Sequence, residues 1–427
     1  MVDTNDLNYK LSITSEHISA SKKNTRELKM DVVGTIKDKV KRHKERHSAL
    51  DCQYLFSDSI DFVNQQHWNE IAVNASVLMS INYLKAIECC SPENTTQRYA
   101  IAYQNHQAVA IVACQIADIS GQNLASPEGN FKNTVAKQYR ERLLVCGNLV
   151  SSGLHGVAFA AGFDQEMGWK IVAEILYKIR RSEKLNGKID FTLIKDIKGQ
   201  QIESSSIVER FSYRRIQTDP DMVLQLENDT NSFEDYLALL NSKYRSRVRK
   251  VIKSIDAAGF ECKKINLDAQ LDKRLHALYL NVEQQSKTRL ATLPTGYFLE
   301  LSKNLPEHFV CYGIFEGEAI VGFISMIKDR NEAIAYYVGF DYKINDQHPI
   351  YFRLLQLAIQ AAIDFGCSKV LFGRSALEPK ANLGAKPVDA FVWARHRVPA
   401  VNFIVRKIFR NVPFDEAPER GALKEKK

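Results

Sequence analysis

The order of predicted elements repeats in the two halves of this 427-residue chain, and this repeat is the strongest constraint on its fold. In the first half, the predicted elements are two strands within residues 98–119, a buried strand over 142–150, a helix over 166–181 and a strand over 189–194. A Gly-rich loop follows the buried strand. The second half shows the same order with little shared sequence, so the pattern predicts a structural duplication.

The predicted elements of the second half begin with a long amphipathic helix. They are, in chain order, a helix over 233–260, a strand over 260–267, a helix over 271–287, three strands within 308–340, a helix over 351–365, a buried strand over 369–375 and a last strand over 387–393. The predicted fold class is therefore α/β of the α+β type, with two mixed sheets in tandem and helices flanking each sheet.

Changes in composition along the chain indicate where its domains begin and end. The polar stretch LENDTNS, near residue 228, lies between the two predicted halves. We predict a polar and basic N-terminal arm, two domains and a charged tail, over residues 1–45, 46–228, 229–412 and 413–427.

Composition excludes several classes of protein. Apolar residues make up 45% of the chain and charged residues 25%, which is typical of a globular protein. The apolar runs are too short to span a bilayer and the first thirty residues lack an apolar signal core, so we expect no transmembrane segment and a cytoplasmic location. The eight cysteines include no CxxC pair and no zinc-ligand spacing, so we expect no metal. A net charge of +8 permits an anionic partner but requires none.

Three segments carry a resemblance to known families. YRSRVRKVIKSIDAAGF (residues 244–260) is similar to a basic helix of Fem-type peptidyltransferases, which are tandem proteins. LLVCGNLVSSGLHGV (143–157) and FGRSALEPKANLGAKPV (372–388) resemble segments of uncharacterised bacterial GNAT-like proteins. The repeated element order also resembles the GNAT acyltransferase fold. The chain thus resembles a tandem GNAT-like acyltransferase.

The resemblance implies an enzyme that transfers an acyl group from acyl-coenzyme A to a small-molecule or peptide amine. One alternative is a Fem-type peptidyltransferase that uses aminoacyl-tRNA, with tRNA as its partner. Another is a GNAT-like binding module without catalysis, because both halves lack the usual diphosphate loop (Q/R)xxGx(G/A). The acceptor, the acyl length and the oligomeric state are not predicted.

The loop after the buried strand over 142–150 is the first candidate site. Ligands of α/β sheets bind beyond strand carboxyl ends, and glycines let backbone amides converge on an anion. A tight loop without a ligand explains the same glycines. The predicted donor-binding residues are Gly147, Asn148, Ser152, Gly153, His155 and Gly156.

The second candidate site follows the buried strand over 369–375. Gly373, Arg374 and Ser375 lie at its carboxyl end, where Arg offers a bidentate fork for phosphate or carboxylate. We predict that these three residues bind the donor, that Lys380 binds substrate, and that Glu378 is the general base. A capping box between Ser375 and Glu378 is the structural alternative.

The remaining candidates lie on predicted helices and a strand. Arg245 and Arg249 form one stripe of the helix over 233–260 and are predicted to bind an anionic substrate, although a solvated helix face explains them equally well. Arg353 lies at a helix start, which favours negative charge, and is a further predicted substrate ligand. Tyr336 and Tyr351 are candidate general acids, with packing as the alternative.

Overall fold

A single mixed sheet runs through the part of the chain that the computed structural model describes, namely residues 48–120, 140–286, 289–410, 418 and 420–424. Its strands are β1 (Gln53–Ser57), β2 (Thr95–Gln104), β3 (Gln107–Ser120), β4 (Arg140–Cys146), β5 (Val157–Phe159), β6 (Phe191–Ile197), β7 (Arg214–Gln225), β8 (Phe260–Ile265), β9 (Phe309–Glu316), β10 (Ala319–Asp329), β11 (Glu332–Phe340), β12 (Lys369–Leu371) and β13 (Lys386–His396). Their order is β1-β2-β3-β4-β6-β13-β7-β12-β11-β10-β9-β8, and β5 pairs with β3.

Helices flank this sheet. The described α-helices are α1 (Gln65–Ala72), α2 (Ile81–Cys89), α3 (Gln165–Ser182), α4 (Gln201–Ser204), α5 (Phe233–Leu239), α6 (Ser242–Ala257), α7 (Ala269–Glu283), α8 (Tyr297–Asn304), α9 (Tyr342–Asn345), α10 (Ile350–Asp364), α11 (Leu377–Ala381) and α12 (Pro399–Arg410). Short 3₁₀ helices lie at Ile60–Phe62, Val77–Met79, Glu183–Leu185 and Ser205–Phe211. The predicted class, a mixed α/β fold with flanking helices, is confirmed.

The two predicted sheets are joined into one. The last strand, β13, lies between β6 and β7, and β7 pairs on its other side with β12. Without these strands, β6 and β12 would each present an unpaired row of N–H and C=O groups. The described residues from Asp51 onward form one compact unit. The predicted division into domains 46–228 and 229–412 stays a prediction, and the predicted arm over 1–45 lies outside the described residues.

The predicted helix over 233–260 is two helices, α5 and α6. Leu240, between them, is buried in an extended conformation and forms a bridge with Leu423. The amide side chain of Asn241 donates to the carbonyls of Gly421 and Leu423 at 2.8 and 3.2 Å. Residues 420–424 of the predicted charged tail therefore pack against this break, where the apolar Leu240 and the extended tail favour strand pairing over a continuous helix.

The core connects the two predicted halves. One apolar cluster contains Trp68, Tyr83 and Tyr99 from the first half together with Phe298 and Phe323 from the second. The rings of Trp68 and Tyr99 meet edge to face, as do those of Phe298 and Phe323. Because one core serves both halves, side chains of the first half pack directly against strand β11.

Helix α7 lies unusually close to β11 at Gly339. A Cβ atom on Gly339 would lie 2.5 Å from the backbone nitrogen of Tyr279 and 2.6 Å from the carbonyl carbon of Leu278. Only a residue without a side chain allows this approach. The contact holds the last two turns of α7, which end at Glu283, over the strand that carries Tyr336.

Gly339→Ala should therefore destabilise the protein by about 1–3 kcal/mol, because the new methyl group forces the two backbones apart. Gly421→Ala is the matched control, since a Cβ there meets no atom within 4 Å. The measurement is urea unfolding of both variants beside the wild type. Equal stability of the two variants would contradict the close approach of α7.

Candidate active site

A cavity opens where the parallel strands β11 and β12 diverge. The two strands pair only from Glu332 with Lys369 to Ile334 with Leu371. Just beyond this pairing lies a cavity of about 650 Å³. Its wall is formed by Leu149, Ser152, Tyr279, Val282, Glu283, Gln285, Ser286, Arg289, Leu290, Ala291, Ile324, Ala335, Tyr336, Tyr337, Val338, Tyr351, Leu355, Phe372, Gly373, Arg374, Ser375 and Lys380. Diverging strand ends are where α/β sheets bind ligands.

Glu283, the last residue of α7, is the one carboxylate among the described wall residues. Its side chain is 10% exposed. Oε1 accepts a hydrogen bond from the Thr292 hydroxyl at 2.7 Å, and Oε2 lies 3.9 Å from Nη1 of Arg289. Glu283 was not among the predicted site residues, because in the sequence a carboxylate at the end of an amphipathic helix looks like an ordinary surface residue.

Both predicted tyrosines line the cavity. The Tyr336 hydroxyl lies 3.0 Å from that of Tyr83 and also hydrogen-bonds with that of Tyr297. Burial raises the pKa of Tyr336 well above its usual value. Burial also raises the pKa of Tyr351, at the start of α10, and its hydroxyl has no hydrogen-bond partner within the described ranges. Both side chains are therefore neutral phenols that can donate a proton or a hydrogen bond.

The glycine-rich loop after β4 forms the wall behind the cavity. Among its predicted ligands, Ser152 alone lines the cavity. The amides of Gly147 and Gly153 donate to the carbonyl of Ala113 and to the carboxylate of Asp196, at 2.9 and 2.7 Å. Both amides therefore already donate to acceptors within the protein. The loop is tight, since a Cβ on Gly156 would lie 2.1 Å from the nitrogen of Gly147.

Two further residues of this loop are also buried. Asn148 donates from its amide to the Tyr83 hydroxyl at 3.4 Å. The His155 Nε2 lies 2.7 Å from the carbonyl oxygen of Ser152. Asn148, Gly147, Gly153, His155 and Gly156 thus support the site from behind, and the structure does not place them at the cavity wall.

The predicted residues after β12 do reach the cavity. Gly373, Arg374, Ser375 and Lys380 all line it. The guanidinium of Arg374 forms an ion pair with Asp196, a residue of the first half that is 1% exposed. The Lys380 ammonium donates to the carbonyls of Gly373, Arg374 and Ser375 at 3.1, 2.7 and 2.7 Å.

The capping box between Ser375 and Glu378, which was the structural alternative for these two residues, does not form. Ser375 has a positive φ of 65°, and the residue that precedes α11 is Ala376, without a side-chain cap. The three carbonyl contacts of Lys380 hold the loop in this left-handed conformation. Glu378 lies outside the cavity wall, where its 62% exposed side chain pairs with Arg420 at 2.8 Å.

The three arginines predicted to bind substrate, Arg245, Arg249 and Arg353, also lie outside the wall. Arg249 pairs with Glu234 at 2.8 Å on the exposed side of α6, and Arg245 is half-buried one turn earlier. Nη1 of Arg353 donates to Gln356 at 3.2 Å within α10. The structure does not bring these three side chains to the cavity that contains Tyr336 and Tyr351.

Among the described residues, one group has potential metal ligands close together, namely Glu141, Asp190 and His396. Asp190 already accepts from the backbone amide of Arg142 at 3.1 Å and pairs with Arg397. In the part of the chain that is described, no helix has the length and apolar character needed to cross a bilayer. The cytoplasmic location stays a prediction.

Comparisons with known proteins give a family match for one segment and similar folds for the chain. Residues 242–381 match the family model described as an acetyltransferase (GNAT) domain. The crystal structure of FemX is similar over 83% of this chain and 99% of that one, with 10% identity and a TM-score of 0.52. A tandem GNAT protein from the clavulanic acid biosynthesis pathway covers 82% of this chain and 99% of its own, with 11% identity and a TM-score of 0.49. A search of curated protein sequences gave no match.

Residues 242–381 thus match the model of a GNAT acetyltransferase domain, and the fold of the chain is similar to that of FemX. The predicted resemblance is confirmed. The cavity lies mostly within this domain, since its wall residues from Tyr279 to Lys380 belong to the matched segment.

Burial of His155 makes the free energy of unfolding of the protein depend on pH. Burial lowers the pKa of His155 from 6.5 to about 4. The unfolded chain therefore binds a proton near pH 6.5 that the folded protein does not bind until about pH 4, so stability falls as the pH drops through this range. By pH 5 the loss is about 2 kcal/mol relative to pH 7.

His155→Gln removes this titration. The free energy of unfolding of the wild type should therefore fall by about 2 kcal/mol more than that of the variant between pH 7 and pH 5. Urea unfolding of both proteins at the two pH values measures the difference. Parallel losses in the two proteins would show that His155 is not buried in its neutral form.

Proposed function

We propose that the protein transfers an acyl group from acyl-coenzyme A to an amine within the cavity between β11 and β12. The proposal rests on the side chains that line this cavity, most of which belong to the segment that matches a GNAT domain. One largely buried carboxylate, Glu283, and the phenols of Tyr336 and Tyr351 surround the same space. A base and an acid are the groups that acyl transfer to an amine requires.

In the proposed reaction, Glu283 accepts one proton and a tyrosine donates another. Glu283 takes a proton from the amine, the nitrogen attacks the thioester carbonyl, and a C–N bond forms. The C–S bond then breaks, and the leaving thiolate takes a proton from a phenol. The products are an amide and free coenzyme A, and the proton on Glu283 passes through solvent to the phenolate, which restores both groups. Tyr351 is the proposed acid, because its hydroxyl has no partner among the described residues, whereas Tyr83 and Tyr297 hold that of Tyr336.

A Fem-type reaction with aminoacyl-tRNA is the second candidate. It is favoured by α6, where Arg249 and Lys253 are exposed on one face and Arg245 is half-buried. Such a row of cations suits a phosphate backbone. The same cavity would then accept an aminoacyl ester in place of a thioester.

A donor panel separates these candidates. The protein is mixed with acetyl-, butyryl- and palmitoyl-coenzyme A and with charged tRNA, and its melting temperature is measured. A bound donor stabilises the protein by RT ln(1 + [L]/Kd), so the true donor raises the melting temperature when present well above Kd. Turnover with an amine mixture follows for each donor that binds. Binding without turnover in every case would favour a GNAT-like binding module.

Glu283→Gln should lower kcat by about 10²–10⁴, because glutamine keeps the shape of the side chain but cannot accept a proton. Its melting temperature should change little, since glutamine can still accept from Thr292. Glu378→Gln is the matched control, and we expect it to keep full activity because Glu378 lies outside the wall.

The comparison of these two variants decides between the two carboxylates. Loss of activity in Glu378→Gln with normal activity in Glu283→Gln would restore Glu378 as the base and reject Glu283. The measurement is steady-state turnover with the donor identified by the panel, with a melting curve for each variant.

A further inference from the structure

Positive charge exceeds negative charge beside one wall of the cavity. The charged side chains there are Lys195, Lys198, Arg374 and Lys380, with the carboxylates Asp196 and Asp221. We call these six residues the cation cluster. Asp196 pairs with Arg374 and lies 3.3 Å from Nζ of Lys195, and Asp221 pairs with Lys198. Four cations thus share two carboxylates. Burial of charge without a counter-ion is costly, so such a cluster is a good place for an anionic ligand.

Burial lowers the pKa values of two lysines in this cluster. Burial, together with the nearby charges of Arg374 and Lys198, lowers the pKa of Lys195 to about 7. Burial also lowers the pKa of Lys380 to about 8, against the opposing effect of Asp221. An anion bound beside these groups would stabilise their charged forms.

The loop that carries Arg374 also leaves hydrogen-bond donors unused. The carbonyls of Gly373, Arg374 and Ser375 all point to Lys380. In a trans peptide the N–H points opposite to the C=O, so the amides of Arg374, Ser375 and Ala376 point away from Lys380. None of these amides has an acceptor among the residues that the structure describes. The Nε atom of Arg374 is buried and has no hydrogen-bond partner either.

We infer that Arg374 and the loop from Gly373 to Ala376 bind an anionic group of the acceptor, so that the acceptor is an amine that also carries a carboxylate or a phosphate. This inference rests on the proposed function of the cavity. Glu283 attracts the amine end, and Arg374 with the loop amides binds the anionic end. The opposite charges of the cavity wall thus match a substrate with both charges.

The test uses amines that differ only in their second group. The acceptors are propylamine, 2-aminoethyl phosphate and the ω-amino carboxylates from glycine to 6-aminohexanoate, each with the same acyl donor. The series of chain lengths identifies the separation that the cavity accepts. We expect the best anionic amine to have a KM at least about tenfold below that of propylamine, the effect of one charge-assisted contact.

The double variant Arg374→Gln/Asp196→Asn removes the ion pair without leaving a buried carboxylate unpaired. It should raise the KM for anionic amines at least about tenfold more than it raises the KM for propylamine or for the donor. The control is Arg397→Gln/Asp190→Asn, an Arg–Asp pair elsewhere on the sheet, which should leave all three values unchanged. Arg374→Lys keeps the charge but loses the fork, so we expect an intermediate KM and a folded protein.

Direct binding separates failure of the inference from failure of the proposed function. Titration calorimetry with 3-aminopropanoate and with inorganic phosphate needs no turnover. Binding that the double variant loses and the control keeps would support the anion site even if no amine is acylated. Equal KM values for neutral and anionic amines, or equal binding to wild type and double variant, would overturn the inference. A rise in donor KM alone would assign the anion to the donor and also overturn it.

Discussion

The exchange of strands β7 and β13 between the two halves is the interaction on which the rest of the structure depends. β7 lies in the first predicted half and pairs with β12, whereas β13 comes from the end of the second half and pairs with β6. Each strand completes the other half's hydrogen-bonding edge. Neither half of the sheet is complete alone, and the sheet is continuous from β1 to β8.

This continuity places first-half residues at a second-half cavity. Tyr337 on β11 donates to the carbonyl of Val150 at 2.9 Å, and Tyr336 contacts Tyr83. Arg374 pairs with Asp196. The glycine-rich loop after β4 thus acts as a wall for the cavity between β11 and β12. A buried ion pair is costly to break, so the Arg374–Asp196 contact also fixes the position of the loop.

Much of the site was predictable, because it follows strand ends. Gly373, Arg374 and Ser375 come directly after a short apolar strand, and Tyr336 lies on the neighbouring strand. The carboxyl ends of neighbouring parallel strands lie at the same edge of a sheet, so residues at these ends come close together whatever the conformation of the loops. Strand β7 was not predicted, since it begins with two arginines, is rich in charged residues and contains Pro220 near its middle. Its partners lie far along the chain, and only tertiary pairing reveals it.

The wrong placement of Glu378 and the omission of Glu283 have the same physical cause. Glu378 and Ser375 fit a local capping pattern, but the buried ammonium of Lys380 gathers three carbonyls and imposes a left-handed loop instead. Glu283 comes to the cavity because Gly339 lets α7 approach β11 closely. Both outcomes depend on contacts between residues distant in sequence, which local patterns do not contain.

A crystal structure of the protein with its donor bound tests the central claim most directly. We expect the acyl carbonyl to lie between β11 and the loop from Gly373 to Ala376, with Glu283 and Tyr351 as the nearest carboxylate and phenol. A donor bound against the loop after β4, or on the exposed face of α6, would contradict it.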